Sequence, residues 1–455
     1  MKMATHITTT NPYNNTSLET YTYYSSEAID NILNSANNTF KTWKKASLSK
    51  KTELLKHVAD NLSKNKEKYS KLMTLEMGKP ITESIAEIEK CMYLCDFYAE
   101  NAAILLSDEI IETDAKESFI SYDPLGCILG IMPWNFPFWQ AFRFAIPTLT
   151  AGNTVVMKHA SNVTGCALAI QQVFEDAGYP KGCFSTLIAN HNTVETIIEN
   201  DIIKAVSLTG SEKAGREIAK IAGAQLKPTL LELGGNNACV ILNDANLDAH
   251  LSTIVKARMQ NTGQSCIAAK RFIVEAGIYN EFLNKFTEAV ATLNFGDPLL
   301  EDTKIGTLAR EDLADTLEEQ IKASVTKGAK VHYGNTRNKA YYQPTILTNV
   351  TQDMPVFTEE TFGPVAAIIK VSNKEEAYKL VSNTKFGLGT MIFTEAVEDA
   401  RQQIINIEDG AFFINDMVKS DPRLPFGGTK NSGYGRELSR EGILAFTNKK
   451  TVYVK

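Results

Sequence analysis

Leu54, Leu55, Val58 and Leu62 recur at helical spacing, with Lys and Glu on the opposite face. The pattern predicts helices from Ser49 to about Leu106, and Glu76-Met-Gly-Lys-Pro80 divides that stretch into two. From Ser118 the rhythm changes, and FISYDPLGCILGIMP predicts short strands around a Pro-Leu-Gly turn. An alternation of strands and helices follows. Asn153-Thr-Val-Val-Met157 is a β-branched strand, Asn162 to Ala177 a helix, and Phe184-Ser-Thr-Leu-Ile188 and Lys204-Ala-Val-Ser-Leu208 two more strands. Ala214, Ile218 and Ile221 then mark one face of a helix. A second set of strands after Gly235 contains ACVIL, RFIVEA, AAIIKV and GTMIFT. Repeated strand–helix units predict an α/β protein with a parallel sheet covered by helices on both faces. The last nine residues, TNKKTVYVK, read as an exposed strand. A terminal strand is an edge, and a partner subunit is one way to cover it.

Composition narrows the class. With 455 residues the chain has room for roughly two to four domains. A net charge of −6 gives no reason to expect a nucleic acid or an anionic membrane as partner. No apolar run approaches a bilayer span. The opening MKMATHITTTNPYNN has neither a signal-peptide core nor an Arg-rich transit pattern. The seven cysteines, at 91, 95, 127, 166, 183, 239 and 266, are odd in number and scattered. That argues against a disulfide framework and for a reducing, cytoplasmic setting. Cys91 and Cys95 stand at i, i+4 without a matching His or Cys pair, so they are expected on a buried helix face and no metal site is expected.

Four places carry candidate chemistry. In Asn261-Thr-Gly-Gln-Ser-Cys266 the cysteine follows small and polar residues, as a reactive thiolate does at a loop or helix start; most free cysteines are instead buried small hydrophobes. In Leu230-Leu-Glu232-Leu-Gly-Gly-Asn236 a carboxylate lies inside an apolar run. Burial there would raise its pKa toward that of a general base, or it would form a structural ion pair. Pro133-Trp-Asn135-Phe-Pro137 holds a side-chain amide in a Pro-bracketed turn, which suits either an oxyanion donor or ordinary packing. Leu208-Thr-Gly-Ser211 sits at a strand-to-helix junction where free N–H groups can take a phosphate. GSEKAG fits neither the dinucleotide fingerprint nor a Walker loop.

Taken together and in order, MPWNFP, VVMKHAS, LTGS, LELGGNN, GQSC, EETFGPV and PFGGTKNSGYGRE resemble the aldehyde dehydrogenase superfamily over nearly the whole chain. The resemblance implies that Cys266 attacks an aldehyde carbon, that the Asn135 amide and the Cys266 N–H receive the oxyanion, and that Glu232 activates water to release a free acid. It implies a nicotinamide cofactor held by Trp134, Lys158, Gly210, Ser211, the Leu233 carbonyl, Glu360 and Phe362. One position departs from the pattern. Where Lys-Pro-x-Glu is usual, this chain reads Lys158-His-Ala-Ser161. A carboxylate would repel a 2′-phosphate and a serine would not, so NADP is expected over NAD, with NAD left open. His159 is read as structural.

Arg143, eight residues after Asn135, resembles the arginine of the succinate-semialdehyde dehydrogenase branch. A guanidinium near the aldehyde pocket makes sense if the substrate brings a carboxylate, since a buried cation needs a partner. An ion pair within the protein is the other reading. Ser420 matches a substrate-carboxylate hydroxyl of that branch. The arginine expected just before the cysteine motif is Gln260 here, and Arg258 stands two residues earlier. The expected substrate is therefore succinic semialdehyde, with glutarate semialdehyde or a small aliphatic aldehyde as alternatives. A non-catalytic homologue would be expected to lack one of Cys266, Glu232 and Asn135. The implied architecture is a Rossmann-like cofactor domain from 1–117 and 133–232, an α/β catalytic domain from 233–420, and oligomerisation segments at 118–132 and 436–455 of a homodimer or homotetramer.

Overall fold

The computed structural model describes residues 5–455. Residues 1–4, which open both the 1–117 span and the stretch read above for a leader, lie outside the described residues.

The N-terminal half begins with elements that the apolar pattern did not predict: a hairpin of His6–Thr10 and Ser17–Thr22 and a helix Ser26–Trp43. The stretch expected to hold two helices holds three, Leu48–Lys64, Lys66–Met77 and Ile81–Leu105. The extra break is at Asn65, whose side-chain amide donates to the Asn61 carbonyl and closes the first helix. Gly78, at φ 84°, ends the second in a left-handed cap, and Pro80 opens the third. Leu54, Leu55, Val58 and Leu62 form the buried face of the first, as their spacing predicts. Cys91 and Cys95 lie on the buried face of the third with Ile88, Leu94 and Tyr98.

Two parallel sheets follow. The first runs Gly433–Tyr434, Thr229–Glu232, Ile203–Thr209, Cys127–Met132, Thr154–His159, Phe184–Thr186, parallel except for the short first strand. The second runs Lys330–Tyr333, Thr345–Thr348, Val365–Val371, Ala269–Glu275, Asn237–Ile241, Thr390–Phe393, Phe412–Ile414, and only its first strand is antiparallel. The four strands expected after Gly235 are its central members.

This topology corrects one boundary. The segment 118–132 does not act as one unit. Glu117–Pro124 pairs antiparallel with the C-terminal strand Thr447–Val454. Cys127–Met132 instead lies at the centre of the first sheet, flanked by Ile203–Thr209 and Thr154–His159. The Pro-Leu-Gly turn is the point of departure, and Gly126 there takes φ 145°, which a side chain rarely tolerates. Among the described residues the strand Thr447–Val454 has a neighbour on one side only.

Ligands bind parallel α/β sheets beyond the carboxyl ends of the strands. Every motif of the first sheet sits there. Asn135 follows Cys127–Met132, Lys158 and His159 end Thr154–His159, Gly210 and Ser211 follow Ile203–Thr209, and Glu232 ends its strand. No helix among the described residues is long and apolar enough to cross a membrane.

Candidate active site

The helix Pro137–Thr150 starts from the Pro-bracketed turn of Asn135. Its first free N–H groups, of Phe138 and Trp139, donate to Glu87 Oε1 at 2.8 and 2.9 Å. A carboxylate at a helix N-terminus fixes the turn and complements the helix dipole. His159 anchors the same turn from the neighbouring strand through Nε2 and the Pro137 carbonyl, 2.9 Å apart. Burial holds its pKa down to about 4, so the ring is neutral at physiological pH and serves as a brace.

Cys266 follows a tight turn in which Asn261 and Thr262 adopt left-handed φ of 56° and 54° and Gly263 a φ of 73°. Three long side chains hold that loop. Asn261 Nδ2 donates to the Asn135 carbonyl at 2.7 Å and to the Gln264 carbonyl at 3.1 Å. Asn135 Nδ2 also donates to the Gln264 carbonyl, at 3.1 Å. Lys270 Nζ donates to the carbonyls of Gly235 (2.5 Å), Ser265 (3.0 Å) and Cys266 (2.8 Å) and pairs with Glu360 at 2.9 Å. The Gly-Gly of LELGGNN has its reason here, because a Cβ at Gly235 would stand 2.6 Å from the Cys266 carbonyl.

Two cavities meet at Cys266. One, of about 420 Å³, is lined by Trp134, Asn135, Gly210, Ser211, Leu233, Glu360 and Phe362 among others. The other, of about 230 Å³, is lined by Lys90, Trp139, Arg143, Ser420 and Phe426 among others. Cys266 belongs to both, and it is the one cysteine of the chain that is not buried. Thus six of the eight proposed cofactor residues, together with Asn135, share one chamber with the thiol; Lys158 and Ser161 lie outside it. Ser161 lines a narrow recess with Tyr23 and His159.

Electrostatics inside are set by burial. Loss of hydration pushes the Cys266 thiol up to about 11, against the pull of Arg143 and Lys270. Glu232 is raised well above the usual carboxylate range, first by burial and then by the neighbouring Glu437, with Arg143 and Arg436 opposing. Its two oxygens have no hydrogen-bond partner among the described residues, and Oε1 lies close to Gly427. Glu232 lines neither cavity.

The three proposed substrate residues separate. Ser420 and Arg143 line the smaller cavity. Arg143, however, already has a carboxylate partner within the protein, because its Nε forms an ion pair with buried Glu437. The guanidinium also lies over the Phe426 ring at 4.6 Å. Arg258 requires a correction. It is fully buried, and its guanidinium donates to the carbonyls of Ala269 (3.1 Å), Gly263 (3.4 Å) and Thr361 (3.2 Å). It lines neither cavity and braces the Cys266 loop instead of facing a substrate. Sequence reasoning did not find Lys270, Glu437 or Lys90. The only signal for Lys270 was a lysine at the start of an apolar strand.

The aldehyde dehydrogenase family profile matches residues 1–452. A probable NADP-dependent succinate-semialdehyde dehydrogenase of Synechocystis is 46% identical over 451 residues, 98% of this chain and 99% of the relative. The NAD(P)-dependent succinate semialdehyde dehydrogenase of Escherichia coli K12 is 43% identical over 453 residues, 99% and 98% of the two chains. Among solved structures, succinic semialdehyde dehydrogenase from Streptococcus pyogenes in complex with NADP+ superposes with a TM-score of 0.96 at 36% identity, covering 98% of this chain and 99% of that one.

Proposed function

The chain belongs to the aldehyde dehydrogenase family, and from that membership we propose that it oxidises succinic semialdehyde to succinate with NADP as electron acceptor. The observation that carries the reading is the meeting of two chambers at Cys266, one lined by the proposed cofactor residues and one by cations and hydroxyls.

Cys266 Sγ attacks the aldehyde carbon as thiolate, which makes that carbon tetrahedral and puts negative charge on its oxygen. The Asn135 amide and the Cys266 N–H receive that charge. NADP, when bound, accepts the hydride that leaves the tetrahedral carbon. The carbon is then a thioester on Cys266. Glu232 takes a proton from water, which attacks the thioester and returns the Cys266 sulfur as succinate departs. Because Glu232 lines neither cavity, its carboxylate would have to reach the water at Cys266 by a change of side-chain position.

The residues present fit the cofactor. The helix Glu212–Ala224 presents its N-terminus after Gly210 and Ser211. Trp134 and Phe362 meet edge to face at 5.7 Å and form an apolar wall. Lys158 has no carboxylate within ion-pair distance among the described residues, and burial lowers its pKa. Together with Ser161 in place of a carboxylate, it suits a ribose that carries a 2′-phosphate. The test is the Cys266→Ala variant. It should lose NADPH formation and still bind NADP; survival of full activity would overturn the mechanism.

A further inference from the structure

The helix Ile81–Leu105 turns one face to the smaller cavity. Glu83, Ala86, Glu87 and Lys90 all line it, at the i, i+3, i+4, i+7 spacing of a single helical face. Two of these side chains are already committed. Glu83 Oε2 accepts from the Asn261 N–H at 2.7 Å. Glu87 accepts from the N–H groups of Phe138 and Trp139 and pairs with Lys79. Lys90 is different. It is partly buried, its Nζ lies 4.0 Å from the centre of the Trp139 ring, and it donates to Ser420 Oγ at 2.8 Å. Among the described residues it has no ion-pair partner. The acids whose fields reach it are taken: Glu87 by Lys79, and Asp421 by Arg423 at 2.7 Å.

The other cations around this cavity are satisfied. Arg143 pairs with Glu437, and Lys419 with Asp416 at 2.6 Å. Lys256 is exposed, so water solvates its charge. Lys90 alone combines partial burial, a place in the cavity wall and an uncompensated charge. The hydroxyl beside it adds a constraint. Ser420 Oγ accepts from Lys90 and from Trp139 Nε1, the latter at 3.1 Å. A hydroxyl has two acceptor sites and one proton. Both acceptor sites are filled, so the Ser420 O–H can only donate. An ammonium and an obligate O–H donor side by side in a chamber that opens on Cys266 match an anionic acceptor.

We propose that Lys90, acting with the Ser420 hydroxyl, is the specificity-determining residue that binds the distal carboxylate of the semialdehyde, while Arg143 chiefly neutralises Glu437 beneath the site. The proposal rests on the reading of the substrate as a carboxylated aldehyde. A carboxylate two methylenes from the aldehyde carbon would ion-pair with Lys90 Nζ and accept from Ser420 while the carbonyl meets Cys266. A neutral aldehyde would leave the ammonium as it is now.

The experiment compares wild type, Lys90→Met and Lys90→Arg with succinic semialdehyde and butyraldehyde at saturating NADP. Wild type must first prefer succinic semialdehyde by kcat/KM; if it does not, the substrate reading itself fails, whatever the variants do. Given that preference, Lys90→Met should raise KM for succinic semialdehyde by about tenfold to a hundredfold, the loss of one charge-assisted contact. Its kcat, and both constants for butyraldehyde, should stay within about twofold. Lys90→Arg, which keeps the charge, should recover a large part of the KM. Equal losses on both aldehydes, or an unchanged preference in Lys90→Met, would overturn the assignment of Lys90.

Discussion

A thiol shielded from water is a poor nucleophile unless something favours its anion, and Cys266 is held in that tension. Desolvation raises its pKa to about 11, while Arg143 and Lys270 pull the other way. A raised thiol pKa means less thiolate at neutral pH, so alkylation of the cofactor-free enzyme by iodoacetamide should be slow near pH 7. It should keep accelerating past the ordinary thiol value of 9.0, since the thiolate is the reacting form. The other six cysteines are buried, which makes mass-resolved alkylation a readout of Cys266. A rate that levels off below pH 8 would show a thiolate already stabilised in the free enzyme. At this scale the sequence was informative where residue type and motif coincide. Cys266, Asn135, Trp134, Gly210, Ser211, Leu233, Glu360 and Phe362, far apart in the chain, line one cavity. It was silent where a role depends on a partner far along the chain. Lys90 meets Ser420 across 330 residues, and nothing local in KCMYLC marks that lysine as different from a solvated one. Arg258 misled for the opposite reason. Its nearness in sequence to the cysteine motif suggested a substrate contact, while its donors are taken by three backbone carbonyls.

Elements are joined at the site by buried charge. The helix Pro137–Thr150 brings Arg143 to Glu437, which lies just before the short helix Ser439–Leu444. Both side chains are almost fully buried, and Glu232 shares their field. Removing the cation alone leaves two carboxylates in a dry environment, so Arg143→Met should cost about 3–5 kcal/mol of stability. Adding Glu437→Gln to that variant should recover a large part of the loss, because the uncompensated charge is then gone. Thermal unfolding of the two single variants and the double variant checks this. A loss below about 1 kcal/mol for Arg143→Met would mean the pair behaves like one at the surface. The apolar pattern located most strands of both sheets because β-branched runs bounded by Gly and Pro are local signals. It misplaced Cys127–Met132 because a strand's neighbours are chosen by the whole sheet. Its sequence fits a hairpin with Glu117–Pro124, and the left-handed Gly126 turns it away into the first sheet instead. Asn65 went unnoticed as a helix end for want of a Gly or Pro beside it.

For the molecule as a whole, the first sheet presents the carboxyl ends of its strands to the cavities, Gly234, Cys266 and Phe362 stand just before the amino ends of three strands of the second, and the thiol lines both the larger chamber and the cation-lined one. The outer edge of Thr447–Val454 has no strand partner among the described residues. The overall chemistry is a consequence of which charges are compensated inside the protein and which await a ligand. The most direct measurement is reduced-nicotinamide formation with succinic semialdehyde and butyraldehyde, each with NADP and with NAD. A kcat/KM for succinic semialdehyde at least tenfold above that for butyraldehyde, and higher with NADP than with NAD, is the expected result. Equal or better use of butyraldehyde would contradict it and leave the cation-lined chamber without its carboxylate.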